Sequence, residues 1–285
     1  MDESGKQEQI EDSSPVYGET STIPHVKGRF PFRLGTTSYI IPAPIMPNLR
    51  LLGPRLDEVE LVLFESGRED NLPSHSEVRE MKQTSLDLDF KYNVHLPADV
   101  FLGDPDPLLR QKFQETILRF YERALPLDPT IFILHLDSRN ANRSRREDWS
   151  AWVERVWESI DKVVQSGVDP HRVAVENLEY PLETISPIVE SFEMSFCLDL
   201  GHLMRYGYDL AEQMRLYLGR SSAVHLHGVK DGGVDHVGVQ WISPREWQLI
   251  LESLKSYRHC VSLEVFSLDE LVPSLGRIED SLNGG

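Results

Sequence analysis

The feature that most restricts what this chain can fold into is a regular alternation of short apolar runs with amphipathic stretches. The runs are Phe32–Tyr39, Val59–Glu65, Lys91–Pro97, Thr130–Asp137, Arg172–Glu179, Met194–His202, Ala223–Val229 and Cys260–Phe266. Between them the apolar residues fall at helical spacing, as in Trp149, Trp152, Val153, Val156, Trp157 and Ile160. Turn signals such as Asp169-Pro170 and Gly219 precede strands. Eight strand–helix units predict an α/β chain, a parallel (β/α)₈ barrel. A length of 285 residues with 40% apolar content suits one such barrel. No internal sequence repeat is visible. Residues 1–28 are rich in Glu, Asp, Ser and Gln and read as a flexible acidic tail. Residues 29–280 read as the single catalytic domain, with Ser281–Gly285 frayed.

The ends of the runs carry ionisable residues. They are His95, then His135 and Asp137, then Glu176, then Asp199 and His202, then His225 and His227, and finally Glu264. In a barrel the C-terminal strand ends form the active-site face. Side chains alternate faces along a strand. Phe132, Leu134 and Leu136 therefore oppose Ile133, His135 and Asp137, and Val224 and Leu226 oppose His225 and His227. Phe196, Leu198 and Leu200 oppose Cys197 and Asp199, and Leu263 and Val265 oppose Ser262, Glu264 and Phe266. Each run turns an apolar face to the helices and an ionisable group into the mouth.

A single buried His is ordinarily just a hydrogen-bonded core residue. Several carboxylates converging in one low-dielectric mouth repel one another, and divalent cations remove that repulsion. Mixed imidazole and carboxylate donors suit zinc, manganese or iron. Glu65 reads equally as a mouth residue or a loop start. Asp235-His236, in a Gly-rich loop, reads as a further ligand pair. Tyr39, His227 and Tyr206 are candidate substrate contacts. Trp149, Trp152 and Trp157 read as core, and His25, His75, His171 and His259 lie off the strand ends.

The net charge of -17 argues against nucleic acid as a partner. The one dense basic run, Arg143, Arg145 and Arg146, reads as a solvated loop, or more sharply as a contact to an anionic substrate. Cys197 and Cys260 both lie in apolar runs, which predicts buried free thiols. No apolar stretch is long enough to span a bilayer and no signal-peptide pattern is present, so the cytoplasm is the expected location. The oligomeric state is not legible.

The order His95, His135, Glu176, Asp199-x-x-His202, His225, Asp235-His236, Glu264 resembles the xylose-isomerase-like barrels, and within them endonuclease IV, which uses three zinc ions to cleave phosphodiesters. The runs LGTTSYIIPAPIMPN, VELVLFES, VHLPAD, ILHLD, VENLEYP, CLDLGHLMRYGYDL, VHLHGV and LEVF resemble more closely the bacterial cobamide-remodelling phosphodiesterases. That resemblance implies a hydrolase that cuts the phosphoribosyl bond in the nucleotide loop of a cobamide. It implies that His95, His135 and Glu176 hold one metal, and that Glu176 bridges to a second held by Asp199, His225 and Glu264. His202 with Asp235 or His236 holds a third. Glu176 and Glu264 are read as the catalytic carboxylates. Asp235 and His236 are adjacent, a departure from the endonuclease spacing, and neighbours on an extended chain point apart. The alternatives are a sugar isomerase or epimerase with one divalent ion, a DNA-repair endonuclease, and a non-catalytic cobamide carrier.

Overall fold

The computed structural model describes residues 23–67, 71–142 and 144–283. Most of the acidic segment at the start of the chain, and Arg143, lie outside these. Among the described residues eight parallel strands close into a barrel. In chain order these are β1 (Arg33–Thr37), β2 (Glu58–Val62), β3 (Lys91–His95), β4 (Phe132–Leu134), β5 (Val173–Glu176), β6 (Ser195–Asp199), β7 (Ser221–Leu226) and β10 (Cys260–Leu263). Each overlaps one of the eight apolar runs, with β2 starting one residue and β7 two residues before its run, and β1 pairs with β10 to close the ring. A small antiparallel hairpin, β8 (Gly228–Lys230) with β9 (Val234–Val237), stands on the mouth after β7.

The α-helices lie between the strands: α1 (Ile45–Leu52), α2 (His75–Leu88), α3 (Pro107–Ala124), α4 (Arg146–Gln165), α5 (Ser186–Ser191), α6 (Leu200–Arg205), α7 (Leu210–Tyr217) and α8 (Pro244–Leu254), with α9 (Leu268–Asn283) after β10. They pack their apolar stripe on the outside of the barrel. In α4 the stripe is Trp152, Val156, Ile160 and Val163, all buried. Trp149 stacks on Trp152 at 4.8 Å. Trp157, expected in the core, is 38% exposed and lies against Phe192. Its position is one step off the stripe, so helical phase places it outward. Helix starts follow local capping chemistry: α2 opens on a Ser74–Glu77 capping box.

A second, smaller apolar cluster fills the barrel interior beneath the mouth: Ile131, Ile133, Ala174, Cys197 and Ala223. It comes from alternate strand positions that face inward, alongside the buried polar side chains of Glu58, Glu60, Asn93 and Ser262. Both cysteines are free and buried, as expected.

The chain packs earlier than its composition suggests. Ile23 and Val26 are buried, and Lys27 Nζ donates to the Leu88 and Asp89 carbonyls. Two apolar anchors three residues apart suffice to seat residues 23–28. At the other end α9 continues past Ser281, whose hydroxyl accepts from Trp247 Nε1 at 2.9 Å.

Candidate metal centre

Strand geometry delivers the donors. His95, Glu176 and Asp199 are the last residues of β3, β5 and β6. His135, His227 and Glu264 come one residue after β4, β7 and β10, and His225 lies within β7. Asp199 and His225 pair directly, whereas His95 pairs with Ile133, Glu176 with Cys197 and His225 with Ser262, so the donors climb two residues at those steps, following the stagger of the barrel.

In the first group, His95 Nε2, His135 Nε2 and Glu176 Oε2 are mutually 3.0–3.2 Å apart. A tetrahedron of donors at zinc–nitrogen distance has edges of roughly 3.3 Å. His95 Nδ1 is 2.7 Å from the Leu96 carbonyl, which takes its proton and leaves Nε2 bare toward the group.

The second group is Glu176, Asp199, His225 and Glu264, with one donor atom each within 4.8 Å of the others. His225 Nδ1 faces Glu264 at 3.2 Å, Glu176 at 3.4 Å and Asp199 at 3.9 Å. Asp199 has a double task. Its Oδ1 accepts from the His202 amide at 2.8 Å and so caps α6, which starts directly at the strand end. The Asp-x-x-His spacing thus folds His202 back over the mouth. Asn177 pins the same corner, donating to the Asp199 carbonyl and accepting from the Asp199 amide.

The third group is His202, His227 and His236. His202 Nδ1 is 3.0 Å from the Asn177 carbonyl, which leaves Nε2 toward the group. His227 and His236 lie 4.3 Å apart, ring to ring, because the hairpin folds β9 back over β7. His236 holds a φ of 52°, the left-handed region that non-glycine residues seldom enter. Asp235 pairs with Arg205, and its carboxylate also stands 3.9 Å from His236 Nε2. Of the two candidate third-site residues, His236 joins the imidazoles and Asp235 does not.

The electrostatics favour cations. Burial alone would raise the Glu176 carboxyl, but His135 and His225 override it and hold the group well below the usual range. Burial likewise works against Glu264, and His225 again holds it low. Burial pulls the imidazoles of His95, His202, His225 and His227 down, yet the surrounding carboxylates raise all four above the ordinary value. His236 is lowered by burial. Glu176 Oε1, Glu264 Oε2 and both ring nitrogens of His225 are buried without an aligned hydrogen bond. Such atoms are costly unless something binds them. The donor types, spacing and unsatisfied atoms fit divalent ions. Cys197 lies within reach of Glu176 and His225, but burial pushes its thiol up, so it stays protonated and makes a poor ligand.

Other candidates stand apart. Asp137 is held by Arg139 at 2.7 Å, and Glu65 is an exposed loop residue. Tyr39 and Tyr206 are 53% and 41% exposed on loops of the mouth face, open to a ligand. His227 is fully buried: its Nδ1 accepts from the His236 amide at 3.0 Å, its Nε2 faces Asp199 at 3.2 Å, and its ring adjoins those of His202 and His236. Glu60, on β2, was not among the sequence candidates. It is fully buried and 3.1 Å from His225. The alternation Val59, Leu61, Leu63 against Glu60 carried the signal.

A closed parallel barrel whose strand ends gather imidazoles and carboxylates defines a class, the (β/α)₈ barrels with donor groups that could hold metal ions. The chain belongs to the xylose isomerase-like TIM barrel family, whose profile matches residues 52–283. No curated protein matches the sequence. Among solved structures it is similar to a D-tagatose 3-epimerase-like protein, at 18% identity and TM-score 0.71 over 88% of this chain and 97% of that one. It is also similar to endonuclease IV from Thermus thermophilus, at 18% identity and TM-score 0.63 over 89% and 100%. A 3-keto-D-glucoside 4-epimerase from E. coli matches at 12% identity and TM-score 0.65 over 87% and 99%. At these identities the likeness establishes the fold.

Proposed function

We propose that the protein is a multinuclear metal-dependent phosphodiesterase that hydrolyses the phosphoribosyl bond in the nucleotide loop of a cobamide. The observation that carries the hydrolytic part is the number of donors. Glu176 is shared by two groups, and a third group of imidazoles adjoins them, which is more than one ion can use. The substrate rests on the sequence runs that resemble the cobamide-remodelling enzymes, and on the charge of -17, which suits a small soluble ligand better than duplex DNA.

Bound divalent ions supply a water nucleophile near neutral pH and neutralise charge on a phosphoryl group. The chain's own residues do the rest. Glu176 ties the two groups together through one carboxylate. His95 and His202, each anchored through Nδ1 to a carbonyl, present fixed nitrogens. The donors of the second group are themselves buried, which strengthens their charge interactions. Tyr39 and Tyr206 offer exposed rings to a broad, partly apolar ligand.

A second reading is a sugar epimerase with one ion on Glu176, Asp199, His225 and Glu264. It is favoured by that four-donor group and by the similarity to the epimerase-like structure. It leaves His95, His135 and the third group without a task. The deciding experiment is incubation of metal-loaded protein with a cobamide, followed by mass spectrometry, and separately with a ketohexose, followed by sugar chromatography. Cobinamide phosphate and an α-riboside, together one water heavier than the substrate, are expected. Epimerised ketohexose with no cobamide product would favour the second reading.

A further inference from the structure

Glu60 is an unexplained carboxylate in the barrel interior. It pairs in register with Thr37 and Asn93, and its neighbours Val59 and Leu61 are buried in the core between barrel and helices. Strand alternation therefore turns Glu60 inward. It is fully buried, and neither of its oxygens makes an aligned hydrogen bond. The network at the barrel floor does not use it. Arg33, Asn93 and Thr130 all donate to Glu58 instead.

What Glu60 does meet is His225. Its Oε2 is 3.1 Å from Nε2, while Nδ1 on the other side of the ring faces Glu264, Glu176 and Asp199. The imidazole is thus placed between one carboxylate and a group of three. A neutral imidazole carries one proton. To bind an ion among the three carboxylates, Nδ1 must be bare and the proton must reside on Nε2. A carboxylate 3.1 Å from Nε2 draws the proton to that nitrogen by its charge and makes Nδ1 a stronger donor. Glu60 lies on the far side of the ring from the three carboxylates, so it is not itself a ligand of the same ion.

We propose that Glu60 is a positioning residue that sets the tautomer of His225 for metal binding. The inference rests on His225 being a ligand, which both functional readings share. The test uses the full-length protein with Glu60→Gln and Glu60→Ala. Gln keeps the shape and a neutral acceptor, and Ala removes both. Metal-free protein is titrated with Co²⁺ in competition with a chelator, and His225→Ala identifies the affinity class that belongs to the second group. About 10-fold weaker binding for Gln and up to about 100-fold for Ala are expected in that class alone. The class belonging to His202, His227 and His236 should be unchanged. The visible Co²⁺ spectrum of the second group should also shift, because its imidazole donor changes in basicity.

If wild-type protein shows no class that His225→Ala removes, the metal reading itself fails. If that class exists and both Glu60 variants match wild type in affinity and spectrum, the positioning role is overturned while the metal reading stands. Equal losses in every class, or failure of both variants to fold, would mean a structural role and would also overturn it. Should only Glu60→Ala fail to fold, the isosteric Glu60→Gln decides.

Discussion

Gly201, in the Asp-Leu-Gly-His segment, lies against the ring of His227. A Cβ added there would come within 2.1 Å of His227 Cε1 and 2.3 Å of Nδ1 and Nε2. Non-bonded heavy atoms prefer roughly 3.5–4.0 Å, so Gly201→Ala overlaps the ring by more than about 1 Å. The ring has little room to withdraw. It is fully buried, within 3.2 Å of Asp199 on one side and 4.3 Å, ring to ring, from His236 on the other. Either α6 shifts or His227 leaves the third group. Overpacking of this kind costs about 1–3 kcal/mol. For a domain of this size each kcal/mol lowers Tm by roughly 2–4 °C, so a fall on the order of 5 °C is expected in metal-free protein. Thermal denaturation by circular dichroism measures it, and elemental analysis of reloaded protein should show the ion of the third group missing and the others kept. Unchanged Tm together with full metal content would refute the close packing of Gly201 on His227 and the role given to that ring.

Further outcomes follow from the same geometry. Glu176→Gln should weaken both groups that share the carboxylate by more than the roughly 10–100-fold typical of an outer partner. Chelator competition and turnover measure this, and a folded variant with wild-type rate would remove Glu176 from the centre. His236→Ala should cost the third ion, whereas Asp235→Asn should leave metal content intact, since Asp235 is engaged by Arg205. Loss of the ion in Asp235→Asn would reverse that assignment. Metal binding should weaken as pH falls. Burial opposes it, but nearby carboxylates raise His95, His202, His225 and His227, so protons compete with metal from above the ordinary imidazole value downward. In metal-free protein the sign is opposite. A raised folded pKa stabilises below the unfolded value of about 6.5, and that contribution is lost as pH rises through the raised values. The gain in Tm on adding metal should therefore grow from about pH 6 to about pH 8.5, and a gain independent of pH would contradict the imidazole ligands.

The barrel was legible because eight strand-like apolar runs alternate with segments of helical spacing, and four of those runs show the strand period of two. Phe132 and Leu134 are buried, and Val224 opposes His225 as read from the chain. The donors were legible for the same reason, since strand ends and mouth coincide in this architecture. Glu60 was missed because it sits near the start of its run, whose end is Glu65, although alternation in Val59-Glu60-Leu61 turns Glu60 inward. The hairpin that carries His236 was hidden in a Gly- and Asp-rich stretch whose pairing depends on turn geometry. The capture of Asp235 by Arg205 joins residues thirty positions apart, a contact no local pattern encodes. The stacking of His236 on His227 depends on the same hairpin, so the all-imidazole third group emerges only in three dimensions.

The central claim is a multinuclear centre, and metal content tests it most directly. Purified protein is stripped, reloaded with zinc, desalted and measured by elemental analysis against protein concentration. Three donor groups with Glu176 shared predict at least two ions per chain, with the second and later ions lost in His95→Ala and His202→Ala separately. One ion per chain in fully active protein, or none, would contradict the account.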